Sequence, residues 1–178
     1  MNTTGKFISY VLRHKPSAAY VELDENGWAD VGELIDGVCK TGRALDLQRL
    51  EEIVQSDGKH RFDFNADHTK IRANQGHSVE VNVEMQSLAP PDVLYHGTAE
   101  KSLESIKQEG ILKKTRNYVH LSKDIETAIK VGSRHGKPIV LKIDTRRMYL
   151  DGFEFLLSAN NVWQTKQVPF DYVTEIIS

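Results

Sequence analysis

Two consecutive prolines near the middle of the chain, Pro90 and Pro91, constrain its fold more than any other feature of its 178 residues. Proline has no backbone N–H and its ring obstructs a helix, so the segment "MQSLAPPDV" (Met85–Val93) continues neither a helix nor a central strand. The spacing of apolar residues also changes across this segment. The sequence therefore predicts an α+β protein with two lobes, residues 1–88 and residues 89–178.

The first lobe is predicted to begin with a short amphipathic helix that ends in a cationic turn. Pro16 restricts the backbone of Lys15, so the helix should end at or just before Lys15 in the stretch "YVLRHKP". Its apolar face should consist of residues that recur at helical spacing: Phe7, Ile8, Val11 and Leu12. Cations in a last helical turn are favoured by the helix dipole, so this stretch alone does not require a function.

Two further helices and a hairpin complete the prediction for this lobe. Asp30 is placed to cap a helix, with Glu33 as in a capping box, and a third helix is expected over 45–54 with Leu47 on its apolar face. A turn at Asn26-Gly27 precedes them, and the alternating segment "RFDFNADHTKIRA" predicts a hairpin that turns at 65–67. Three helices followed by a hairpin indicate a winged-helix-like lobe, although such a fold does not by itself establish a function.

The second lobe is predicted to be rich in strands. Its strand-like segments are "DVLYHGT", "YVHLS", "PIVLKID" and "YVTEIIS". Between them, "AEKSLESIKQEGIL" and "KDIETAIKVGSRHG" have helical spacing, and each ends near a glycine that suits a helix C-cap. The lobe is therefore expected to alternate between strands and two connecting helices.

Composition narrows the possible functions. Net charge is −2 at pH 7, so phosphate recognition would require a local cluster of cations rather than a generally basic surface. No apolar run approaches the ~20 residues of a membrane helix, and the first residues lack a signal-peptide pattern. The single cysteine, Cys39, excludes an internal disulfide and, beside Val38, is expected to be a buried thiol. These features favour an intracellular, cytoplasmic protein.

The seven histidines do not have the spacing of a metal site. The sequence lacks a helical H-E-x-x-H pair and a C-x-x-C pair, and Cys39 is its only thiol. No structural or catalytic metal is therefore expected.

Two short motifs of the second lobe contain candidate functional residues. "YHGT" (Tyr95–Thr98) should end a strand directly before a helix, where Gly97 would let a ligand approach the backbone and the helix N-terminus would favour an anion. A histidine satisfied within a turn is the alternative. In "RNYVHLS" (Arg116–Ser122), strand alternation separates two apolar residues from a polar face made of Tyr118, His120 and Ser122. A half-exposed strand without a function would show the same alternation.

A strand-end His-Gly-Thr paired with a second histidine in a strand resembles the NAD-binding core of the ADP-ribosyltransferases. Other motifs extend the resemblance to one family. "YVLRHKP", "RF" followed by "IRANQGHS", "YHGT", "RNYVHLS" and "VWQTKQVPFDYV" together resemble the RNA 2′-phosphotransferases, in the same order and over nearly the whole chain. The fold that this resemblance implies is a winged-helix-like lobe packed on an ADP-ribosyltransferase-like lobe.

The resemblance implies a two-step reaction. Such enzymes remove an internal RNA 2′-phosphate, of the kind left at tRNA splice junctions, and transfer it to NAD⁺, which is consumed as a co-substrate. The phosphate attacks C1″ of the nicotinamide ribose and releases nicotinamide, giving RNA-2′-phospho-ADP-ribose. Attack of the ribose O2″ on phosphorus then releases RNA with a 2′-hydroxyl and ADP-ribose 1″,2″-cyclic phosphate. No metal is implied, because arginines would supply the positive charge.

The resemblance also assigns residues to the two substrates. The residues that it assigns to the RNA phosphate are Arg13, His14, Arg61 and Arg116. The residues that it assigns to the NAD⁺ slot are His96, Gly97, Thr98, His120, Ser122 and Arg134. A phosphomonoester is dianionic near neutral pH, and guanidinium groups bind its oxygens in bidentate geometry, so the residue types suit this role.

Some of these residues have a specific expected role and others keep two. His96 would contact the nicotinamide ribose, and the Gly97 backbone would contact the carboxamide. Arg134 would meet the pyrophosphate or would be a helix-end charge, and His14 would be a phosphate ligand or the general acid for the departing RNA oxygen. Arg72 would be structural or would touch RNA. No equivalent of the catalytic glutamate of many ADP-ribosyltransferases is found, since the resemblance does not assign Glu175.

Other functions are also compatible with the sequence. A protein or small-molecule ADP-ribosyltransferase would share the NAD⁺ slot but would leave no reason for Arg13 and His14. An ADP-ribosyltransferase that acts on other phosphorylated ends is a further alternative. A non-catalytic winged-helix RNA-binding module would leave "YHGT" and "YVHLS" unexplained. No feature requires a partner beyond RNA and NAD⁺, so a monomer is expected, and the sequence does not identify the physiological RNA.

Overall fold

The computed structural model describes residues 3–83 and 85–178. The chain is a mixed α/β protein with antiparallel sheets, and it divides into two compact units, Met1–Glu84 and Met85–Ser178. Each unit has a hydrophobic core of its own.

The first unit combines three helices with a small antiparallel sheet. Its elements are α1 (Thr3–Arg13), β1 (Trp28–Asp30), α2 (Val31–Lys40), α3 (Leu47–Gln55), β2 (Phe62–Phe64) and β3 (Lys70–Ala73). The strands pair in the order β1–β3–β2. The predicted hairpin is confirmed, because β2 pairs with β3 and the amide of Asn65 donates to the carbonyl of Lys70 at 3.0 Å.

Local chemistry sets the ends of these helices as the sequence predicted. Helix α1 ends at Arg13, and Lys15 has left helical geometry with φ −149° and ψ 76° before the 3-10 turn Pro16–Ala19. The Asp30 carboxylate accepts a hydrogen bond from the amide of Glu33 at 2.9 Å, which confirms Asp30 as the cap of α2. Ile8, Val11 and Leu12 are fully buried in the core of this unit.

Two predictions for this unit are wrong. Cys39 is exposed and its thiol donates to the carbonyl of Leu45, because successive helix residues are ~100° apart and buried Val38 directs its neighbour away from the core. Leu47 is also exposed, because the Asp46 carboxylate caps α3 and makes Leu47 the first residue of the helix. The first buried side chain of α3 is Leu50, one turn later.

The second unit contains most of the strands. Its first elements are β4 (Gln86–Ser87), β5 (Val93–Ala99), α4 (Leu103–Glu109), β6 (Ile111–Leu112), β7 (Val119–Leu121) and α5 (Ile125–Gly132). The remaining elements are β8 (Pro138–Asp144), α6 (Thr145–Leu150), β9 (Leu156–Leu157), β10 (Trp163–Thr165), β11 (Gln167–Val168) and β12 (Val173–Ile177). The four longer predicted strands correspond to β5, β7, β8 and β12. The two-residue strands were not predicted.

The described strands of this unit pair in the orders β4–β9–β10–β7, β11–β6 and β12–β8–β5. Strands β5 and β8 pair antiparallel over their full length, from Val93 opposite Asp144 to Ala99 opposite Pro138. Strand β4 lies within the segment that the prolines were expected to interrupt, and it pairs with β9. Prolines restrict the chain only from Ala89 onward, so Gln86–Ser87 can still pair.

Glycines allow α5 to pack closely on β5. A Cβ atom on Gly97 would lie 1.7 Å from the carbonyl oxygen of Ala128, and one on Gly132 would lie 2.6 Å from the carbonyl oxygen of Thr98. The missing side chain of Gly97 is thus required by the helix, whereas the sequence suggested that it makes room for a ligand. Helix α5 ends at Gly132, so the predicted C-cap role of Gly136 is wrong, while Gly110 follows α4 in a left-handed conformation as predicted.

Candidate active site

The C-terminal end of α1 is held by the segment that follows β3. The carbonyl of Arg13 accepts a hydrogen bond from the amide of Ser78 at 2.9 Å, and His14 Nδ1 lies 2.9 Å from the Ser78 hydroxyl. Residues 64 positions apart in sequence therefore meet, which joins the motifs "YVLRHKP" and "IRANQGHS". Sequence analysis did not single out Ser78, because a serine after a histidine has no local signature of such a contact.

His77 is a buried residue of the first unit that is influenced by nearby charged side chains. It is buried, and this burial lowers the pKa of His77 to about 4, with smaller contributions from the charges of Arg13, His14 and Arg72. The imidazole is therefore neutral at pH 7. The charges of Arg13, His14 and Arg72 all act on this one buried ring, which places the three side chains near it.

Arg61 is fixed by a different set of contacts. The buried Asp57 carboxylate accepts from the Arg61 amide at 2.7 Å and from its guanidinium Nη1. The carbonyl of Arg61 accepts from the amide of Asn74 at 2.9 Å. Arg61 and the Arg13–His14 pair are thus anchored to the same segment, Asn74–Ser78.

Arg72 has a structural contact. Its guanidinium carbon lies 4.3 Å from the centroid of the Trp28 ring, and the two residues are opposite each other in the β1–β3 pair. This cation–π contact supports the structural alternative for Arg72. Contact of Arg72 with RNA stays a prediction.

In the second unit, His120 joins residues from both predicted sets. His96 on β5 donates from Nδ1 to the carbonyl of His120 at 3.1 Å, since a carbonyl oxygen can only accept. The Arg116 guanidinium donates to His120 Nδ1 at 3.0 Å. Tyr95 and Ser122 exchange two backbone hydrogen bonds, of 2.9 and 2.8 Å, and so fix β5 beside the end of β7. His96, Arg116, His120 and Ser122 therefore lie together.

Burial and neighbouring groups determine the protonation state of His96. Burial lowers the pKa of His96, the carbonyl of His120 partly opposes that shift, and the charge of Arg116 adds to it. The ring is neutral at pH 7 with its proton on Nδ1, so Nε2 carries a lone pair and accepts hydrogen bonds. The pKa of Arg116 is lowered by burial and by the charge of Arg134, which places Arg134 near Arg116.

The pairing register of β5 determines the directions in which the Gly97 backbone and the Thr98 side chain face. The N–H and C=O of Tyr95 face Ser122, and backbone groups alternate along a strand, so those of Gly97 lie on the same side, away from β8. Thr98 lies two residues beyond His96 and shares its face. The prediction that a helix directly follows "YHGT" is confirmed, since β5 ends at Ala99 and a 3-10 helix over Glu100–Ser102 leads into α4. Acidic Glu100 at its start disfavours an anion at that position.

One residue of this region was missed by the sequence analysis. Gln164 on β10 lies directly opposite His120 on β7, so their side chains share one face. Gln164 is 1% exposed, and among the described residues its Nε2 has no hydrogen-bond partner. A glutamine inside a strand pattern gives no local signal that it is buried, so the missing information is the pairing of β10 with β7.

Glu175 does not take part in this group of residues. Its carboxylate is 3.3 Å from the ammonium of Lys142, and both side chains are exposed. Across residues 3–83 and 85–178, no three or more His, Cys, Asp or Glu side chains are grouped to hold a metal ion. No helix in those same ranges is both long and apolar enough to cross a membrane.

Comparison with known proteins links both groups of residues to one family. The model of the "RNA 2′-phosphotransferase, Tpt1 / KptA family" matches residues 1–167. A probable RNA 2′-phosphotransferase of Fusobacterium nucleatum is 54% identical over 170 residues, which cover 95% of this chain and 95% of the relative. Another, of Flavobacterium johnsoniae, is 52% identical over 169 residues, which cover 95% and 93%. A third, of Acaryochloris marina, is 47% identical over 176 residues, which cover 99% and 97%.

The matched range includes the first unit, the second unit up to residue 167 and every candidate residue described above. With about half of all positions identical over nearly its whole length, the chain belongs to the RNA 2′-phosphotransferase, Tpt1/KptA family.

Proposed function

We propose that this protein removes an internal 2′-phosphate from RNA by transferring it to NAD⁺. Family membership supports the reaction, and one structural observation supports the assignment of residues. Arg116, from the set predicted to bind phosphate, and His96, from the set predicted to bind NAD⁺, both hydrogen bond to His120. A phosphate bound at Arg116 would therefore lie next to the reacting ribose. The first unit acts as the winged-helix-like lobe and the second as the ADP-ribosyltransferase-like lobe.

By the family resemblance, the phosphate ligands are Arg13, His14 and Arg61 in the first unit and Arg116 in the second. The phosphate is already an anionic nucleophile in the first step, so these residues position it and need not deprotonate it. In the second step, charge builds on the phosphoryl oxygens while the RNA O2′ departs. The same cations stabilise that charge, which makes their contribution larger in the second step than in the first.

The residues of the second unit fit a bound NAD⁺. When bound, NAD⁺ supplies an electrophilic ribose carbon and a neutral leaving group. The neutral Nε2 of His96 accepts a hydrogen bond from a ribose hydroxyl, which a protonated ring would not do. The N–H and C=O of Gly97 face the side where a carboxamide can pair with both. The buried amide of Gln164 has no hydrogen-bond partner in the described part of the chain and fits as well, since a buried N–H is satisfied when a polar ligand reaches it.

His120 connects the two sets of residues. Its Nδ1 accepts from Arg116, so a neutral His120 carries its proton on Nε2. The His120 ring thereby orients the guanidinium of Arg116. The backbone carbonyl of His120 fixes the tautomer of His96. Ser122 and Thr98 line the same slot, and Arg134 adds positive charge near Arg116, where a pyrophosphate would be bound.

An RNA oligonucleotide with one internal 2′-phosphate tests this function. The protein is incubated with it in the presence and absence of NAD⁺, and nicotinamide and RNA are both quantified. The proposal predicts loss of the phosphate only with NAD⁺, and nicotinamide release only when the phosphate is present. ADP-ribose that stays attached to the RNA, or that is transferred to protein, would support a different ADP-ribosyltransferase. Binding without turnover would support an RNA-binding module.

A further inference from the structure

Asp57 is a buried carboxylate that contacts one of the proposed phosphate ligands twice. It lies in the loop after α3 and is 6% exposed. Its two oxygens accept from the amide of Arg61 and from the Arg61 guanidinium. A buried carboxylate is expensive to desolvate, and here the Arg61 cation and two hydrogen bonds compensate for that cost.

The loop does not need this charge to hold its backbone. The amide of His60 donates to the carbonyl of Asp57 at 2.8 Å, and His60 adopts a left-handed φ of 43°. The side chain of Asn74 donates to the carbonyl of His60 at 2.8 Å, and the amide of Asn74 donates to the carbonyl of Arg61. These bonds fix the course of the chain through residues 57–61. A neutral acceptor at position 57 would satisfy the remaining amide of Arg61.

The charge of Asp57 therefore acts on the guanidinium of Arg61. We propose that Asp57 is a positioning residue, which holds the Arg61 guanidinium in the plane and orientation that the RNA phosphate requires. This inference rests on the proposed function. A free arginine side chain loses rotamer entropy when it binds an anion, whereas one already held by a carboxylate does not. The advantage should be largest in the second step, which depends most on cation placement.

The variant Asp57→Asn tests this proposal, because asparagine keeps the shape and an acceptor for the Arg61 amide but removes the charge. We expect the second step to slow by on the order of 10–100-fold in single-turnover assays, with a nearly unchanged midpoint of urea unfolding. Asp46→Asn is a matched control. Asp46 accepts from the amide of Arg49 in the same unit, but the Arg49 guanidinium pairs with Glu52 instead. This control should leave both steps unchanged.

A double variant separates positioning from a general structural role. Because Asp57 acts through Arg61, adding Asp57→Asn to Arg61→Ala should cause no further loss of rate and should raise stability by removing an unpaired buried charge. A further loss of rate in the double variant would overturn the proposal, as would an Asp57→Asn protein as fast as the wild type. Absence of phosphate transfer by the wild type itself would overturn the proposed function, and the positioning role with it.

Discussion

The two units hold their candidate residues by different means. In the first unit, His14 and Arg61 lie outside regular elements and are held by the side chains of Ser78 and Asp57. In the second unit, His96 and His120 lie inside strands, and the carbonyl of His120 and the register of β5 fix them. Single supporting side chains therefore control the candidate residues of the first unit, whereas those of the second unit depend on the integrity of a sheet.

This difference predicts two kinds of response to mutation. Changes near the candidate residues of the first unit (the first group) should alter the rate of one step while the protein stays folded. Changes in the strands that carry the candidate residues of the second unit (the second group) should affect folding more than they affect the rate of either step. The following predictions test this contrast, from the largest expected effect to the smallest.

Gly97→Ala should unfold the second unit. The new methyl group would collide with the backbone carbonyl of Ala128, and a helix backbone cannot move away as a flexible side chain would. We expect a loss of more than ~3 kcal/mol in the free energy of unfolding, measured by urea denaturation. Gly58→Ala is the control, because a Cβ there meets nothing within 4 Å. A folded Gly97→Ala protein of unchanged stability would show that α5 does not depend on this glycine.

Removal of a proposed phosphate ligand should slow the second step by ~10²–10³ and leave the first step much less affected. RNA-2′-phospho-ADP-ribose should then accumulate as a slower band on denaturing gels in His14→Ala, Arg61→Ala and Arg116→Ala. His96→Ala should slow the first step without trapping this species. Glu175→Gln, in an exposed ion pair, should change neither step. If none of the three variants accumulates the intermediate although turnover falls, the proposed division of roles is wrong.

His77 should make the stability of the first unit depend on pH. Its folded pKa of about 4 is below its ordinary value of 6.5, so the folded state binds fewer protons than the unfolded state between these values. Its contribution is complete above pH 6.5 and is lost as the pH falls toward 4. We expect ~2 kcal/mol less stability at pH 5 than at pH 7 from this residue alone.

The matched pair for this prediction is His77→Asn and His68→Gln. The first should remove the pH-dependent difference in urea denaturation, and the second, at an exposed histidine of the same unit, should retain it. An unchanged difference in His77→Asn would mean that another group causes it.

Ser78→Ala should have the smallest effect. It removes the hydroxyl next to His14 Nδ1 but keeps the backbone bond from residue 78 to the Arg13 carbonyl. Loss of one such hydrogen bond costs ~1 kcal/mol, so we expect a reduction of about fivefold in the second step. Ser78→Thr, which retains a hydroxyl, should restore most of the rate. Equal rates in the alanine variant and the wild type would show that His14 does not need this contact.

The longer elements of the fold could be predicted because their signals are local. The apolar run "PIVLKID" marks β8 over its full observed length, and Asp30 caps α2 through a residue three positions away. The two-residue strands β4, β6, β9 and β11 carry no such signal, since they exist only through pairing with distant segments. Cys39 was predicted to be buried because it follows the apolar residue Val38. Its exposure depends on the side of α2 that it faces, and neighbouring helix residues face directions ~100° apart.

The candidate site shows the same limit. Motifs identified His14, Arg61, His96 and His120 as candidates. The residues that contact and hold them could not be predicted. Asp57 precedes Arg61 by four residues, but in a loop this spacing does not predict a contact. Gln164 lies opposite His120 only because β10 pairs with β7. Resemblance to a family proposes residues for the chemistry, whereas the residues that contact and hold them emerge only from the structure.

The most direct test of the account follows the phosphorus atom itself. An RNA oligonucleotide labelled with ³²P in its internal 2′-phosphate is incubated with the protein and NAD⁺, and the labelled products are separated by thin-layer chromatography. The account predicts that the label leaves RNA only when NAD⁺ is present, and that it appears in ADP-ribose 1″,2″-cyclic phosphate with equimolar release of nicotinamide. Label released as inorganic phosphate without consumption of NAD⁺ would identify a phosphatase and contradict the account.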